Sequence, residues 1–225
     1  MSKEILRSPE EFFRANPISV DHDGVMADTR TLIVNEVNEI FSTNYLATDI
    51  RTWDWVYEIA IKHGMDENGA RHLNTKLWYR PDFLSKAKPL EGSREFMYWF
   101  YERGIDVPVV SSRNPEFYES TMMWYEEKMP FVNRSKIFIR KNFEFSEDTY
   151  KAFVLSQNTH SRIHFDDSVE QARVILDYTN TVVALLSNSY ALNDRNGLIH
   201  LPSENPMLLP NMVRAQYRVI QSIFS

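Results

Sequence analysis

Pro17-Ile18-Ser19-Val20-Asp21-His22-Asp23-Gly24 is a short apolar run that stops abruptly at two acids and a glycine. The run reads as a buried strand, and Asn16-Pro17 before it closes a short helix that begins at Ser8-Pro9-Glu10-Glu11. Outward from this strand the pattern repeats. Ile105 to Val110, Lys136 to Arg140, Ile163-His164-Phe165 and Thr181 to Leu186 read as further strands. Between them lie helical stretches: Ser93 to Gly104 with Ser93 as its cap, Asn114 to Tyr125, Ser146 to Leu155, and Ser168 to Leu176 with a Ser168/Gln171 capping box. A last helix is expected from about Asn211. Strands alternating with helices predict an α/β fold: a parallel sheet flanked by helices on both faces.

One segment breaks the alternation. From Thr31 to Phe41 the sequence turns helical, with Ile33, Val37, Ile40 and Phe41 on one face, and the stretch on to Lys88 is helical and rich in rings. It reads as a helical cap inserted after the first strand. The expected division is a core of residues 1–29 and 89–225 and a cap of residues 30–88.

Composition sets the frame. The 225 residues are 43% hydrophobic and 25% charged, with 14 Phe, 11 Tyr and 5 Trp, which suits a well-filled soluble core. Cysteine is absent, which removes disulfides, thiolate metal sites and a cysteine nucleophile. The net charge of −6 argues against binding duplex nucleic acid. No run is long enough to span a bilayer and no signal-type segment opens the chain, so a cytoplasmic location is expected.

In an open parallel sheet, ligands bind at the carboxyl ends of the strands. Here those ends carry Asp21-His22-Asp23-Gly24, Ser111-Ser112-Arg113, Arg140-Lys141 and Asp166-Asp167-Ser168. Two nearby carboxylates suit two-step phosphoryl transfer. One attacks phosphorus, and the other protonates the leaving alkoxide and then deprotonates water. Carboxylates around a phosphate repel it, and Mg²⁺, which takes oxygen ligands, relieves the conflict. Asp166 and Asp167 are the natural completion of such a site. Arg113 suits bidentate phosphate binding.

Ile18 to Asp28 resembles the first motif of the haloacid dehalogenase (HAD) superfamily, Val109-Val110-Ser111 its second, and Phe165-Asp166-Asp167-Ser168 its fourth. The resemblance implies a Rossmann-like core, Mg²⁺ as cofactor, and a phosphomonoesterase with Asp21 as nucleophile. It implies that Asp23 is the general acid/base and offers the metal its backbone carbonyl. Ser111 would bind the phosphoryl group, and the metal set would be Asp21, Asp23, Asp166 and Asp167, with Asp167 direct and Asp166 through water. Dehalogenases of the family lack the second aspartate of the first motif, which Asp23 supplies. For the third-motif lysine two positions compete. Lys151 resembles its placement in the phosphatase domain of phage polynucleotide kinases and is favoured; Lys141 resembles that of the deoxyribonucleotidases. Arg113 has a counterpart in the polynucleotide-kinase phosphatases, which implies a phosphate contact through Arg113 beside Ser111 and Lys151. His22 replaces the usual apolar residue, and its ring is expected to pack.

The position of the cap, and the runs Leu77 to Phe83 and Lys88 to Gly92, resemble the 5′(3′)-deoxyribonucleotidases. The substrate implied is a small phosphomonoester, a nucleoside monophosphate, with Trp78, Tyr79 and Phe83 as rings that stack on a base or fill the cap's core. A polynucleotide 3′-phosphatase and a non-catalytic phosphometabolite-binding protein remain alternatives. The pattern allows a homodimer and leaves base preference open.

Overall fold

The computed structural model describes residues 8–186 and 198–201. Six parallel strands form one sheet: β1 (Ile18–Val20), β2 (Val109–Ser111), β3 (Ile137–Ile139), β4 (Ile163–Asp166), β5 (Val182–Leu186) and β6 (Leu198–Leu201). Their order is β3-β2-β1-β4-β5-β6, with Val20 beside Val109 and Phe165, and Phe165 beside Ala184. The chain steps outward from β1 to β3, then returns to the other side of β1 for β4. The order therefore reverses between β1 and β4, and the crevice beyond their carboxyl ends is where such sheets bind ligands.

The α/β sheet expected from the sequence is present, with three differences. β2 starts at Val109 rather than Ile105. Pro108 has no N–H for the ladder, and the Ile105 N–H bonds back to Phe100 C=O at 3.0 Å. β6 is a strand that the alternation did not reveal, and the helix expected from about Asn211 lies outside the described residues. In the third, Ser93 is no cap. Gly92 holds the cap position, and Ser93 Oγ donates to Met26 C=O at 3.0 Å.

Strand alternation decides which side chains share a face. Ser19 pairs in register with His164, and Asp166 with Leu185, so these residues point to one side of the sheet. On that side lie α8 (Glu147–Val154) and α9 (Val169–Tyr178). Val110, Val154, Leu155, Ala172, Ile175, Val183 and Leu185 form a buried cluster there. Phe165, between His164 and Asp166, points the other way and meets Phe96 of α6 (Ser93–Tyr101) edge-on at 5.5 Å. Phe100 of α6 continues that aromatic layer to Phe13 of α1 (Pro9–Ala15) at 5.1 Å.

Contacts divide the chain into a unit running to Met26 and from Pro89 onward, and a second of Ala27–Lys88. The second unit holds α2 (Thr29–Phe41), α3 (Trp55–Lys62), α4 (Glu67–Trp78) and α5 (Pro81–Leu84). Its two ends meet where Asp28 N–H donates to Lys88 C=O at 2.8 Å. Ile33, Val34 and Val37 of α2 are buried, whereas Ile40, expected on the same face, is 43% exposed. Trp78 and Phe83 are buried and Tyr79 is exposed. Trp53, itself exposed, meets the Trp78 ring edge-on at 4.5 Å. Two of the three candidate stacking rings are therefore buried. Among the described residues, no helix is long and apolar enough to cross a membrane.

Ile175 is fully buried where α9 meets the sheet. Ile175→Ala removes buried methylenes and leaves a void, and should lower unfolding free energy by about 2–5 kcal/mol in urea titrations.

Candidate active site

Asp21 directly follows β1 but is still held by the sheet, its N–H donating to Phe165 C=O at 2.8 Å. The chain then turns, closed by Met26 N–H to His22 C=O at 2.9 Å. Gly24 adopts φ +69°, and a Cβ there would lie 1.9 Å from Asp167 Oδ2. Glycine is thus required twice, by the left-handed backbone and by the close approach of Asp167.

Asp166 is the last residue of β4, and its Oδ1 accepts the Ser168 N–H at 2.9 Å. Ser168 caps α9 through the Gln171 N–H at 3.3 Å. The reciprocal half of the expected capping box is replaced, because the Ser168 N–H goes to Asp166 and Gln171 Oε1 accepts from Ser112 Oγ at 3.4 Å instead. Asp21, Asp166 and Asp167 each present a carboxylate oxygen within 4.8 Å of the others. Such a set of hard oxygen donors fits a hard divalent cation.

Lys151 projects from α8 between two of these acids. Its Nζ lies 2.9 Å from Asp21 Oδ2 and 2.8 Å from Asp166 Oδ2, with the side chain 3% exposed. The other candidate, Lys141, is exposed just past β3. Burial would lower the ammonium of Lys151, but Asp166 and Asp21 outweigh it and hold it above the ordinary lysine value. Burial would raise Asp166, yet Lys151 and His164 hold that carboxyl well below the usual range. For Asp21 burial prevails, and the neighbouring acids reinforce it against Lys151, so its carboxyl is pushed well up.

Asp23 is turned to a different partner. Arg113 Nε donates to Asp23 Oδ2 and Nη2 to Oδ1, both at 2.7 Å. Burial alone would raise Asp23, but the guanidinium keeps it below the ordinary carboxylate value. The metal-competent cluster accordingly consists of Asp21, Asp166 and Asp167, and the Asp23 carboxylate stands apart, engaged with Arg113. Ser111 ends β2, is buried, and accepts the Arg113 N–H at 3.3 Å. Six residues expected at the strand ends, with Lys151 from α8, are therefore brought to one edge. They form two linked groups, one around Lys151 and one around Arg113.

Several polar residues support this edge that the strand-end logic did not single out. His164 pairs its Nδ1 with Ser19 Oγ at 2.9 Å and sets its Nε2 3.2 Å from Asp166 Oδ2. Ser19 and His164 each stand two residues before a site aspartate, so strand alternation puts them directly beneath the acids. A hydroxyl and an imidazole inside otherwise apolar strands were the available signal. From α7 (Tyr118–Lys128), Thr121 Oγ1 accepts Arg113 Nη1 at 2.9 Å, and Tyr125 OH pairs with His22 Nδ1 at 3.0 Å. Thr121 and Tyr125 are four residues apart, hence on one helical face. His22 packs edge-on to Trp124 at 5.0 Å, and burial, with Arg113 adding to it, pushes the ring down to about 3. Its imidazole is neutral at pH 7.

Comparison with known proteins then bears on this site. The family model described as 5′ nucleotidase, deoxy (pyrimidine), cytosolic type C protein matches residues 15–172. No curated protein sequence matches the chain. A HAD family hydrolase from Deinococcus radiodurans R1, solved with bound phosphate and sodium, is 11% identical, with a TM-score of 0.58 over 91% of this chain and 96% of its own. A hydrolase from Pseudomonas syringae is 13% identical, with a TM-score of 0.53 over 89% of this chain and 98% of its own. A HAD-superfamily hydrolase from Geobacter sulfurreducens, 13% identical, has a TM-score of 0.52 over 87% and 95%. At these identities the likeness speaks for the fold.

Two stability measurements probe the site. Lys151→Met leaves Asp21 and Asp166 buried without their cation and should cost about 3–5 kcal/mol in urea unfolding at pH 7. The deficit should shrink toward pH 5, because the stranded carboxyls, raised above their unfolded values, regain protons there. His22→Phe tests the neutral imidazole. Wild-type stability gained from a His22 held at about 3 is complete above 6.5 and is lost as pH falls from 6.5 toward 3. The gap between the two proteins should therefore move in the variant's favour by up to about 1.4 kcal/mol per pH unit across that window.

Proposed function

This chain belongs to the family of 5′ nucleotidase, deoxy (pyrimidine), cytosolic type C proteins, and from that premise we propose that it is a Mg²⁺-dependent 5′-nucleotidase acting on (deoxy)ribonucleoside monophosphates through an aspartyl-phosphate. The coarser activity, phosphoric monoester hydrolysis, follows from the family. The single observation that carries the metal-assisted, covalent reading is Lys151 bridging Asp21 and Asp166 at 2.9 and 2.8 Å, beside a third acid, Asp167.

In this reading Asp21 is the nucleophile. Its Oδ2 is already aligned by Lys151, which balances charge on the carboxylate and then on the incoming phosphoryl oxygens. Ser111 at the end of β2 donates its hydroxyl to the phosphoryl group, and Arg113 and Lys151 complete the phosphate contacts. Asp23 gives a proton to the departing alkoxide and takes one from the attacking water. Asp21, Asp166 and Asp167, with the Asp23 backbone carbonyl, would hold Mg²⁺, which when bound neutralises the clustered acids and the phosphate. By its resemblance to the inserted segment of the deoxyribonucleotidases, the Ala27–Lys88 unit is assigned the choice of substrate, with Tyr79 its exposed candidate ring. A cytoplasmic setting accords with a cysteine-free chain.

A polynucleotide 3′-phosphatase would need a site open to a chain end, and the family membership favours the mononucleotide. Phosphate release with Mg²⁺ should be measured across 5′- and 3′-nucleoside monophosphates, sugar phosphates and a 3′-phosphorylated oligonucleotide. The 5′-deoxynucleotides should give the highest kcat/KM; a sugar phosphate or the oligonucleotide in first place overturns the substrate assignment. Asp21→Asn should reduce turnover by at least about 10³-fold, and full turnover by that variant overturns the covalent mechanism.

A further inference from the structure

Asp23 sits in the turn after β1, outside the named strands and helices, where its backbone makes an isolated bridge but its side chain takes no direction from strand or helix packing. A group that must meet first a leaving oxygen and then a water needs its rotamer held. The hold comes from Arg113, whose Nε and Nη2 grip both carboxylate oxygens at 2.7 Å. That guanidinium is itself anchored. Its Nη1 donates to Thr121 Oγ1 at 2.9 Å, and its plane lies over the Phe117 ring at 5.2 Å. Thr121 is fully buried on α7, and a hydroxyl in that position is retained at a desolvation cost unless it is bonded. One turn further on, Tyr125 holds His22, the residue before Asp23. A single face of α7 thus reaches the Asp23 turn twice, once through Arg113 and once through His22.

We propose that Thr121 and Arg113 are positioning residues for proton transfer by Asp23. Thr121 fixes the guanidinium, and the guanidinium fixes the direction in which Asp23 presents its carboxyl. The inference rests on the phosphomonoesterase reading and gives Arg113 a task distinct from gripping the substrate phosphate. In the first step an Asp21 oxygen bonds to phosphorus as the ester P–O bond breaks. The departing oxygen keeps the bonding pair and takes the Asp23 proton. In the second step water gives a proton back to Asp23 while its oxygen bonds to phosphorus and the aspartyl P–O bond breaks. Through both steps the bidentate grip of Arg113, at 2.7 Å to each oxygen, sets where the Asp23 carboxyl stands.

Leaving-group dependence separates this role from phosphate binding. An alkyl phosphate expels a strongly basic alkoxide and needs the proton; p-nitrophenyl phosphate expels a weakly basic aryl oxide and needs it little. The quantity kcat/KM covers only events up to aspartyl-phosphate formation, so the water step does not enter. It should be measured with Mg²⁺ for p-nitrophenyl phosphate and for the alkyl ester ranked first in the substrate panel. The proteins are wild type, Thr121→Val, Thr121→Ser and Arg113→Lys, each checked by thermal unfolding. Thr121→Val and Arg113→Lys should lower the alkyl-to-aryl ratio by at least ~10-fold, and Thr121→Ser should restore it to within ~3-fold of wild type. Equal losses on both esters overturn the inference and assign the pair to phosphate binding or to the fold. Wild type inactive on every ester overturns the phosphomonoesterase reading itself.

Discussion

The ion bridge from Lys151 to Asp21 and Asp166 is the constraint on which the site depends. Three carboxylates whose oxygens lie within 4.8 Å of one another repel strongly in a low-dielectric interior. A single buried ammonium at 2.9 and 2.8 Å offsets that repulsion and fixes the spacing of β1 and β4 at their carboxyl ends. A pair of this kind contributes little net stability over an apolar substitute, yet losing one partner strands the others. Its value lies in geometry. The two aspartates come from strands 145 residues apart in sequence that are paired in register, and Lys151 comes from the helix covering that face. Sheet pairing and helix packing must both be correct before the bridge can form.

Around this bridge the protein places polar groups where apolar ones would pack more simply. Ser19 and His164 form a hydrogen-bonded pair under the aspartates, inside strands that are otherwise aliphatic and aromatic. Thr121 and Tyr125 do the same from α7. Each of these groups is buried and each costs desolvation, which only a hydrogen bond recovers. Hydrogen-bonded networks of this kind remove rotamer freedom from the groups they touch. Asp166 and Asp23 consequently enter their tasks with few orientations to choose from, and the electrostatic environment is formed before any substrate arrives.

The order of elements was legible because each strand is short, apolar and punctuated. Asp21, Ser111 and Asp166 stand where β1, β2 and β4 stop, and the parallel topology delivers all three to one edge. Lys151 could be weighed above Lys141 only by likeness to other proteins, since nothing local distinguishes a lysine that will be buried from one that will not. Arg113 was read as a phosphate ligand from its type and neighbourhood. Its grip on Asp23 and Thr121 depends on how the segment after β2 meets α7, a long-range fact that no local pattern encodes. β6 was missed because its run, Leu198-Ile199-His200-Leu201, is only four residues long. Ser93 was read as a cap because its type suits one, but left-handed Gly92 takes that place and frees the hydroxyl for Met26.

All of Asp21, Asp23, Ser111, Arg113, Lys151, Asp166 and Asp167 belong to the sheet-bearing unit, and the Ala27–Lys88 unit contributes none of them. The proposed chemistry is thereby borne by one part of the chain. Trp78 and Phe83 are buried, and a buried ring has little face left for a base. The same logic cannot make the exposed Tyr79 a ligand contact, since exposure alone is common on any surface. The nucleotide assignment therefore draws its force from the family, and the acid cluster with its lysine draws its force from geometry. The two lines are independent, and their agreement on a phosphoryl group is worth more than either alone.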